Sequence, residues 1–511
     1  MTAGNQKLSR RDWMENVAAS ASVMAGLVTT ACRNDSRTSS QQSAAERPGD
    51  LTTLSAAALS KAIQTKQVSS VEVVDAHLHR IEQVNPKINA VVQLVAGQAR
   101  SQAREADRAI SRGDKMGPLH GVPMTIKDSL DTAGVITTGG TKGREKYVPT
   151  MDATVVKRLR ESGAILLGKT NTPEITFAAE TDNLIYGRTN NPYDLSRSPG
   201  GSSGGPVSIV AAGGSPFDIG SDTAGSIRFP CSFCGVSGIK PTSGRVPLTG
   251  HIVSYEMGYE ESYTQLGPIA RYVEDLALIL PLIAGPDWSD PYTVPVPLGA
   301  PQSVEVRKLR ISFHTDNGVT STADAVREVV RKAANALSAL GSVVEEIRPP
   351  GIQEFLADPG AGDGGEMVKS ILRDAGTVNV SEVSPFIRPL VDPQAKSASA
   401  AELEAYLVRT SRFRSRMLSF MEKFDVIVCP AFGQPAPSHG FWSQARFPQD
   451  VSYTWVYNVT GWPAAVVRCG TSPEGLPIGV QIVARPFRED VALAVALHLE
   501  RELGGFKPPA L

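Results

Sequence analysis

Two serine motifs and one lysine carry the chemistry that this sequence could perform. From Ser198 to Lys240 the chain reads SPGGSSGGPVSIVAAGGSPFDIGSDTAGSIRFPCSFCGVSGIK. A flexible Gly/Ser linker has no apolar run. Here Val207, Ile209, Val210, Ala211 and Ala212 form one, which places the stretch inside folded structure. The small residues of Asp222-Thr223-Ala224-Gly225-Ser226 let successive backbone N–H groups converge on one point, as a developing oxyanion requires. A serine hydroxyl is a poor nucleophile until a base takes its proton. Neither motif contains a histidine, although a distant one could fold in; lysine is the other base known for this task. Lys127 closes the run GVPMTI, read as a short buried strand. Burial there favours the neutral amine, which is the form that accepts a proton.

Other chemistries lack their residues. The seven histidines are scattered without the spacing of a metal-binding helix, so metal catalysis is not expected. No glycine pattern of a dinucleotide or nucleotide phosphate loop occurs in the glycine-rich centre, and no cofactor is expected. Cys231-x-x-Cys234 stands alone, without a second pair or a helix start that would make it a redox or zinc motif. With 51 basic and 52 acidic residues the net charge is -1, which gives no electrostatic footprint for nucleic acid.

The elements that position these residues follow an α/β grammar in a chain of 511 residues. Ser69-x-x-Glu72 is a capping box, followed by Val71, Val74, Leu78 and Ile81 at helical spacing, so a helix is expected to end before Pro86. A polar helix is expected from about 98 to 112. Val155, Val156 and Leu159 mark another, stopped by Gly163 and followed by the apolar run AILLG. Leu309–Phe313, the helix through Val326 to Leu340, Gly341 and the Val343-Val344 start compose a β-α-β unit. Residues 351 to 401 show no firm period and read as a lid-like excursion. DVIVCP (Asp425 to Pro430) and GVQIVA (Gly479 to Ala484) read as buried strands.

The first residues read as an address. Ser9-Arg10-Arg11-Asp12-Trp13, the alanine-rich apolar run from Val17 to Val28 and the small residues before Cys32 have the order of a twin-arginine export signal. Residues 1–32 are therefore expected to be an export signal, with cleavage before Cys32 and its acylation as the lipoprotein variant and simple removal of the signal as the alternative, and the protein to be periplasmic or membrane-tethered. Residues 33–50 have the composition of a disordered linker.

Taken together, these blocks resemble the amidase signature family. The matching residues are Gly121-x-Pro123-x-x-Ile126-Lys127-Asp128, Gly200-Gly201-Ser202-Ser203-Gly204-Gly205, and Gly220 through Arg228. Flanking runs agree as well: GKTNTPE, YGRTNNPYD, FCGVSGIKPT and GLPIGVQIV. The resemblance covers residue 51 to the C-terminus and implies one catalytic domain, a three-layer α/β/α sandwich with a mixed central β-sheet. It implies Ser226 as acylated nucleophile, Ser202 as relay after a cis peptide bond, and Lys127 as base. Thr223, Ala224, Gly225 and Ser226 supply the oxyanion amides; Ser203, Asp222 and Arg228 support the site. Ala224 departs from the usual glycine, and Pro206 occupies a helix's first turn, where no amide is needed. The implied reaction is hydrolysis of an amide, with a glutaminyl-tRNA amidotransferase component of the same family, or an inactive periplasmic binding lipoprotein, as alternatives. Expected partners are a small-molecule amide, a membrane where Cys32 is lipidated, and a second copy in a homodimer. The variable region from about 351 to 460 is expected to line the acyl pocket, with Phe441, Trp442, Tyr453 and Trp455 as aromatic candidates.

Overall fold

The computed structural model describes residues 49–256, 262–357, 364–391 and 398–511. The expected signal, Cys32 and the linker as far as residue 48 lie outside the described residues. Asp50, assigned to the linker, is ordered: its Oδ1 accepts the Thr52 amide at 2.9 Å and opens the first helical turn. No helix among the described residues is long and apolar enough to cross a membrane.

Eleven strands are described: β1 (Val91–Leu94), β2 (Pro123–Lys127), β3 (Ile165–Thr170), β4 (Phe217–Asp222), β5 (Ser237–Lys240), β6 (Gln265–Ala270), β7 (Arg310–Phe313), β8 (Val343–Glu346), β9 (Val426–Pro430), β10 (Ala464–Thr471) and β11 (Pro477–Ala484). Eight form a mixed sheet in the order β4-β6-β5-β10-β11-β9-β7-β8; β1-β3-β2 form a smaller one. The two sheets meet at β2 and β4, where Thr125 donates its amide to Ser215 Oγ at 3.1 Å and its hydroxyl to Asp218 at 2.7 Å.

Side-chain alternation along the strands explains the three layers. Val426 and Val428 of β9 enter one core, shared with helices Asp324–Leu340 and Glu489–Leu503, while Ile427 and Cys429 enter the core on the other face. In β2, Met124 and Ile126 face the first core, so Thr125 and Lys127 point the opposite way, toward the serine motifs. Each fully buried aliphatic side chain adds about 1.5–3 kcal/mol of transfer free energy, so the register of these strands is strongly specified. The β-α-β unit forms as the pattern predicts: β7 runs parallel to β8, and Gly341 ends the intervening helix at φ 106°.

Two local expectations change. The helix that starts at the Ser69 capping box runs to Ile88, through Pro86. Near a helix end proline costs only one hydrogen bond, and Asn89, left-handed at φ 49°, provides the stop. The region from 351 to 401 contains real helices, Ile352–Ala357 and Gly364–Asp374. Val368, Ile371, Leu372, Val383 and Ile387 form their own apolar cluster with Ile175 and Val253. Its apolar residues come from short pieces separated by turns, so no single period runs through the sequence.

Long-range caps tie the layers together. Asp275, buried, accepts the amides of Ala56 and Ala57 at 3.0 Å each and so caps helix Ala56–Gln64 from 219 and 218 residues away. Asp275→Ala leaves both amides without an acceptor. It is expected to lower stability by about 1–3 kcal/mol, read as a fall in the thermal unfolding midpoint, with kcat unchanged.

Candidate active site

β2 ends with Lys127 directed into the space beneath the serine-rich loops. The ammonium nitrogen lies 2.6 Å from Ser202 Oγ, 3.1 Å from Ser203 Oγ and 2.9 Å from Ser221 Oγ. It is fully shielded from solvent, with no carboxylate in hydrogen-bond contact among the described residues. Burial therefore pushes its pKa well below the usual lysine value, against the weaker opposing fields of Asp218 and Asp222. Asp218 is itself driven up to about 7 by burial, despite hydrogen bonds from Thr125 and Thr170. The pocket thus disfavours charge on both groups.

Ser202 and Ser203 precede helix Gly204–Ala211, the apolar run noted above, which is buried along its whole length. The Gly201–Ser202 peptide is cis, as the resemblance implied. Thr181 grips both sides of this turn, donating its hydroxyl to Gly200 O at 2.9 Å and accepting the Gly204 amide at 3.1 Å. Thr172 Oγ1 donates to Ser202 O at 3.1 Å. The second loop joins the first where the Ser203 amide donates to Ser226 O at 3.3 Å. The helix between them packs Val207, Ile209, Val210 and Ala211 into an apolar core.

Asp222 and Arg228 organise the Ser226 loop. Both are fully buried, and the guanidinium holds the carboxylate with two bonds of 2.8 and 2.9 Å. Burial alone would raise the Asp222 pKa; the Arg228 charge and bonds outweigh it and hold the carboxyl below the usual range. Arg228 also reaches Thr454 O at 2.9 Å and Gln481 Oε1 at 2.7 Å, and Asn458 Nδ2 donates to Asp222 at 2.9 Å. The supporting role assigned to this pair is thus a structural clamp. One oxyanion expectation changes: the Gly225 amide is bound to Asp222 Oδ1 at 2.8 Å and is not free to receive an oxyanion here. The amides of Thr223, Ala224 and Ser226 have no partner among the described residues. Thr454 Oγ1 donates to Ala224 O at 2.6 Å and fixes the peptide just before Gly225.

Ser221, bonded to Lys127, and Asp218, acting on it through space, are neighbours that the motifs alone do not single out. Both lie in the strand that leads into the Ser226 loop, and polar residues inside a buried strand are the available signal. Cys231 and Cys234 are buried free thiols with pKa values pushed up by burial; they pack in the apolar core and do not form a redox pair.

The aromatic candidates separate. Phe441, Trp442 and Trp455 pack with Phe229, Phe432 and Ala224, two residues before Ser226. A ladder of ring contacts runs Phe432, Phe441, Trp442, Phe447, Trp455, Tyr263, with centroids 5.1–6.5 Å apart. Tyr453 is a correction. It is buried in the scaffold, stacked on His314, with its hydroxyl bonded to Thr322. It stands two residues before Trp455 in helix Ser452–Val459, so the two side chains leave on nearly opposite faces. A cavity of about 440 Å³ lined by Asp50, Arg80, Arg271 and Phe506 includes none of the serine motifs or Lys127.

Serine hydroxyls gathered on a lysine whose neutral form is favoured, inside an α/β sandwich, are the equipment of a hydrolytic enzyme. The family model described as Amidase matches residues 72–493, and the chain belongs to this family, the amidase signature enzymes. It is similar to a Glutamyl-tRNA(Gln) amidotransferase component of Moorella thermoacetica, 36% identical, with 88% of this chain and 96% of the relative aligned. It is also similar to "Fatty-acid amide hydrolase 2-B" of Danio rerio, 35% identical over 90% of this chain and 91% of the relative. Among solved structures, 6-aminohexanoate cyclic dimer hydrolase superposes with a TM-score of 0.79 and 30% identity over 89% of this chain and 98% of that chain. The protein is accordingly an enzyme that hydrolyses amide C–N bonds.

The clamp has a measurable weight. Arg228→Ala leaves Asp222 charged, buried and unpaired, and is expected to cost about 3–5 kcal/mol in denaturant unfolding and to abolish turnover.

Proposed function

We propose that the chain is an exported amidohydrolase with a Ser-Ser-Lys triad of Lys127, Ser202 and Ser226. The observation that carries the reading is the 2.6 Å contact of the buried Lys127 Nζ with Ser202 Oγ. Neutral Lys127 takes a proton from Ser202, Ser202 takes one from Ser226, and Ser226 Oγ attacks the amide carbonyl. The oxyanion is received by the amides of Thr223, Ala224 and Ser226; one such donor is worth about 3–4 kcal/mol of barrier. As the C–N bond breaks, the proton returns through Ser202 to the departing nitrogen, leaving an ester on Ser226. Water, activated by the same relay, attacks that ester and releases the acid. The ring ladder beside Ala224 favours amides bearing an apolar group, in keeping with the names of the fatty-acid and 6-aminohexanoate relatives.

A second reading, glutamine-dependent amidotransfer, is favoured by the 36% identity to the amidotransferase relative. The near-neutral charge and the export-type N-terminus weigh against it. An amide panel separates the two: hydrolysis of apolar amides by the chain alone supports the first, and activity confined to glutamine supports the second. Ser226→Ala is expected to lower turnover by on the order of 10⁶-fold. In a fluorophosphonate labelling experiment the adduct is expected on Ser226, and an adduct on another serine would overturn the assignment.

The pH dependence follows from the lysine. Its depressed pKa means that base is lost as pH falls through that lowered value, so acylation rises with pH to a plateau reached below the ordinary lysine range. Lys127→Ala is expected to flatten this rise, measured as the pre-steady-state acylation rate against pH.

A further inference from the structure

Phe441 and Trp442 lie in a single short 3-10 turn, Phe441–Gln444, entered through Gly440. The start of that turn is tied to a buried side chain 260 residues earlier. Glu180 is 2% exposed, and both its carboxylate oxygens accept the Gly440 amide, at 2.8 and 3.0 Å. The Trp442 amide lies 3.5 Å from Oε2. His439 Nδ1 lies 3.3 Å from Oε1, and its Nε2 lies 3.2 Å from Leu195 O. Gly440, left-handed at φ 85°, makes the turn that brings these groups to one carboxylate. A buried carboxylate is stable only where donors surround it, so these groups are its compensation for lost water.

The backbone of the same segment braces the proposed relay serine. A Cβ placed on Gly201 would stand 2.7 Å from Ala178 O and from Glu180 N, so the two backbones are in direct contact. Thr181, the next residue, bonds the chain on both sides of Ser202 and Ser203. Residues 178–181 therefore have two attachments: backbone and Thr181 toward the GGSSGG turn, and the Glu180 carboxylate toward the aromatic loop. Ala179 lies in the same apolar cluster as Phe441, Trp442 and Ala224.

We propose that Glu180 is a positioning residue for substrate selection, fixing the Phe441–Trp442 wall at a set distance from the reacting serines. The inference rests on the reading of Ser202 and Ser226 as those serines. The wall is aromatic and shares its apolar cluster with Ala224, so the group it selects is a bulky apolar substituent of the amide, on either the acyl or the amine side. With the carboxylate removed, the Gly440 and Trp442 amides lose their acceptor and the loop relaxes away from Ala224. The catalytic turn keeps its Thr172 and Thr181 bonds, so small amides are still hydrolysed.

The test compares Glu180→Ala, Glu180→Gln and Trp442→Ala with the wild type on three substrates: propionamide, an amide with a long apolar acyl group and free ammonia as product, and a propionyl anilide. Glu180→Ala is expected to reduce kcat/KM at least about tenfold on one or both bulky substrates, mainly through KM, and to leave propionamide within about twofold. Glu180→Gln keeps one acceptor and is expected to fall between. Trp442→Ala is expected to reproduce the selective loss without touching the carboxylate. The arm that suffers identifies the side of the scissile bond that meets the wall. Equal losses on small and bulky amides, or a Trp442→Ala variant with unchanged selectivity, would overturn the proposal. Ser226→Ala on the same three substrates tests the triad separately, since its retention of activity would sink that reading while the bulky-to-small ratio still reports on Glu180.

Discussion

The constraint on which the site depends is the exclusion of water from Lys127. An ammonium group in contact with solvent would stay protonated at any ordinary pH and could not serve as the base of the proposed relay. Here it is enclosed by three serine hydroxyls, with the nearest carboxylates acting only through space. Desolvation is the larger effect and sets the direction of the shift. Asp218, buried close by, answers in the opposite sense, with its pKa raised to about 7. A direct ion pair between the two would lock the lysine in its charged form. The Thr125 and Thr170 hydroxyls that occupy Asp218 Oδ2 help to prevent this.

Keeping the lysine dry requires rigid surroundings, and the fold supplies them in layers. The sheet passes apolar residues to both faces, and the helix after Ser203 is buried from end to end. The Asp222–Arg228 pair shows how much polar structure sits within that apolar frame. Its bonds extend to Thr454, Asn458 and Gln481, so the helix Ser452–Val459 and β11 both bear on the loop that ends in Ser226. A buried ion pair of this kind adds little net stability over an apolar replacement, because desolvation offsets its attraction. What it contributes is one fixed loop conformation, in which the Gly225 amide turns inward and the neighbouring amides remain open.

The sandwich grammar, the serine blocks and the lysine were legible from the chain alone. Capping residues, glycine stops and alternating or continuous apolar runs are local features, encoded within a few residues, so Ser69, Gly341 and the runs AILLG and DVIVCP identified their elements directly. The GGSSGG and DTAGS blocks with Lys127 are also local, and their order along the chain was enough to reach the family. Tertiary structure decided what each group touches. Ser221 joined the lysine because β2 and β4 meet; Gly225 turned its amide to Asp222; Tyr453 went into the scaffold while Trp455 stayed with the ring ladder. Arg228 meets Gln481 across 253 residues and Glu180 meets Gly440 across 260. Contacts of that separation depend on where whole elements come to rest, and on which way a side chain leaves its backbone, neither of which any local period records.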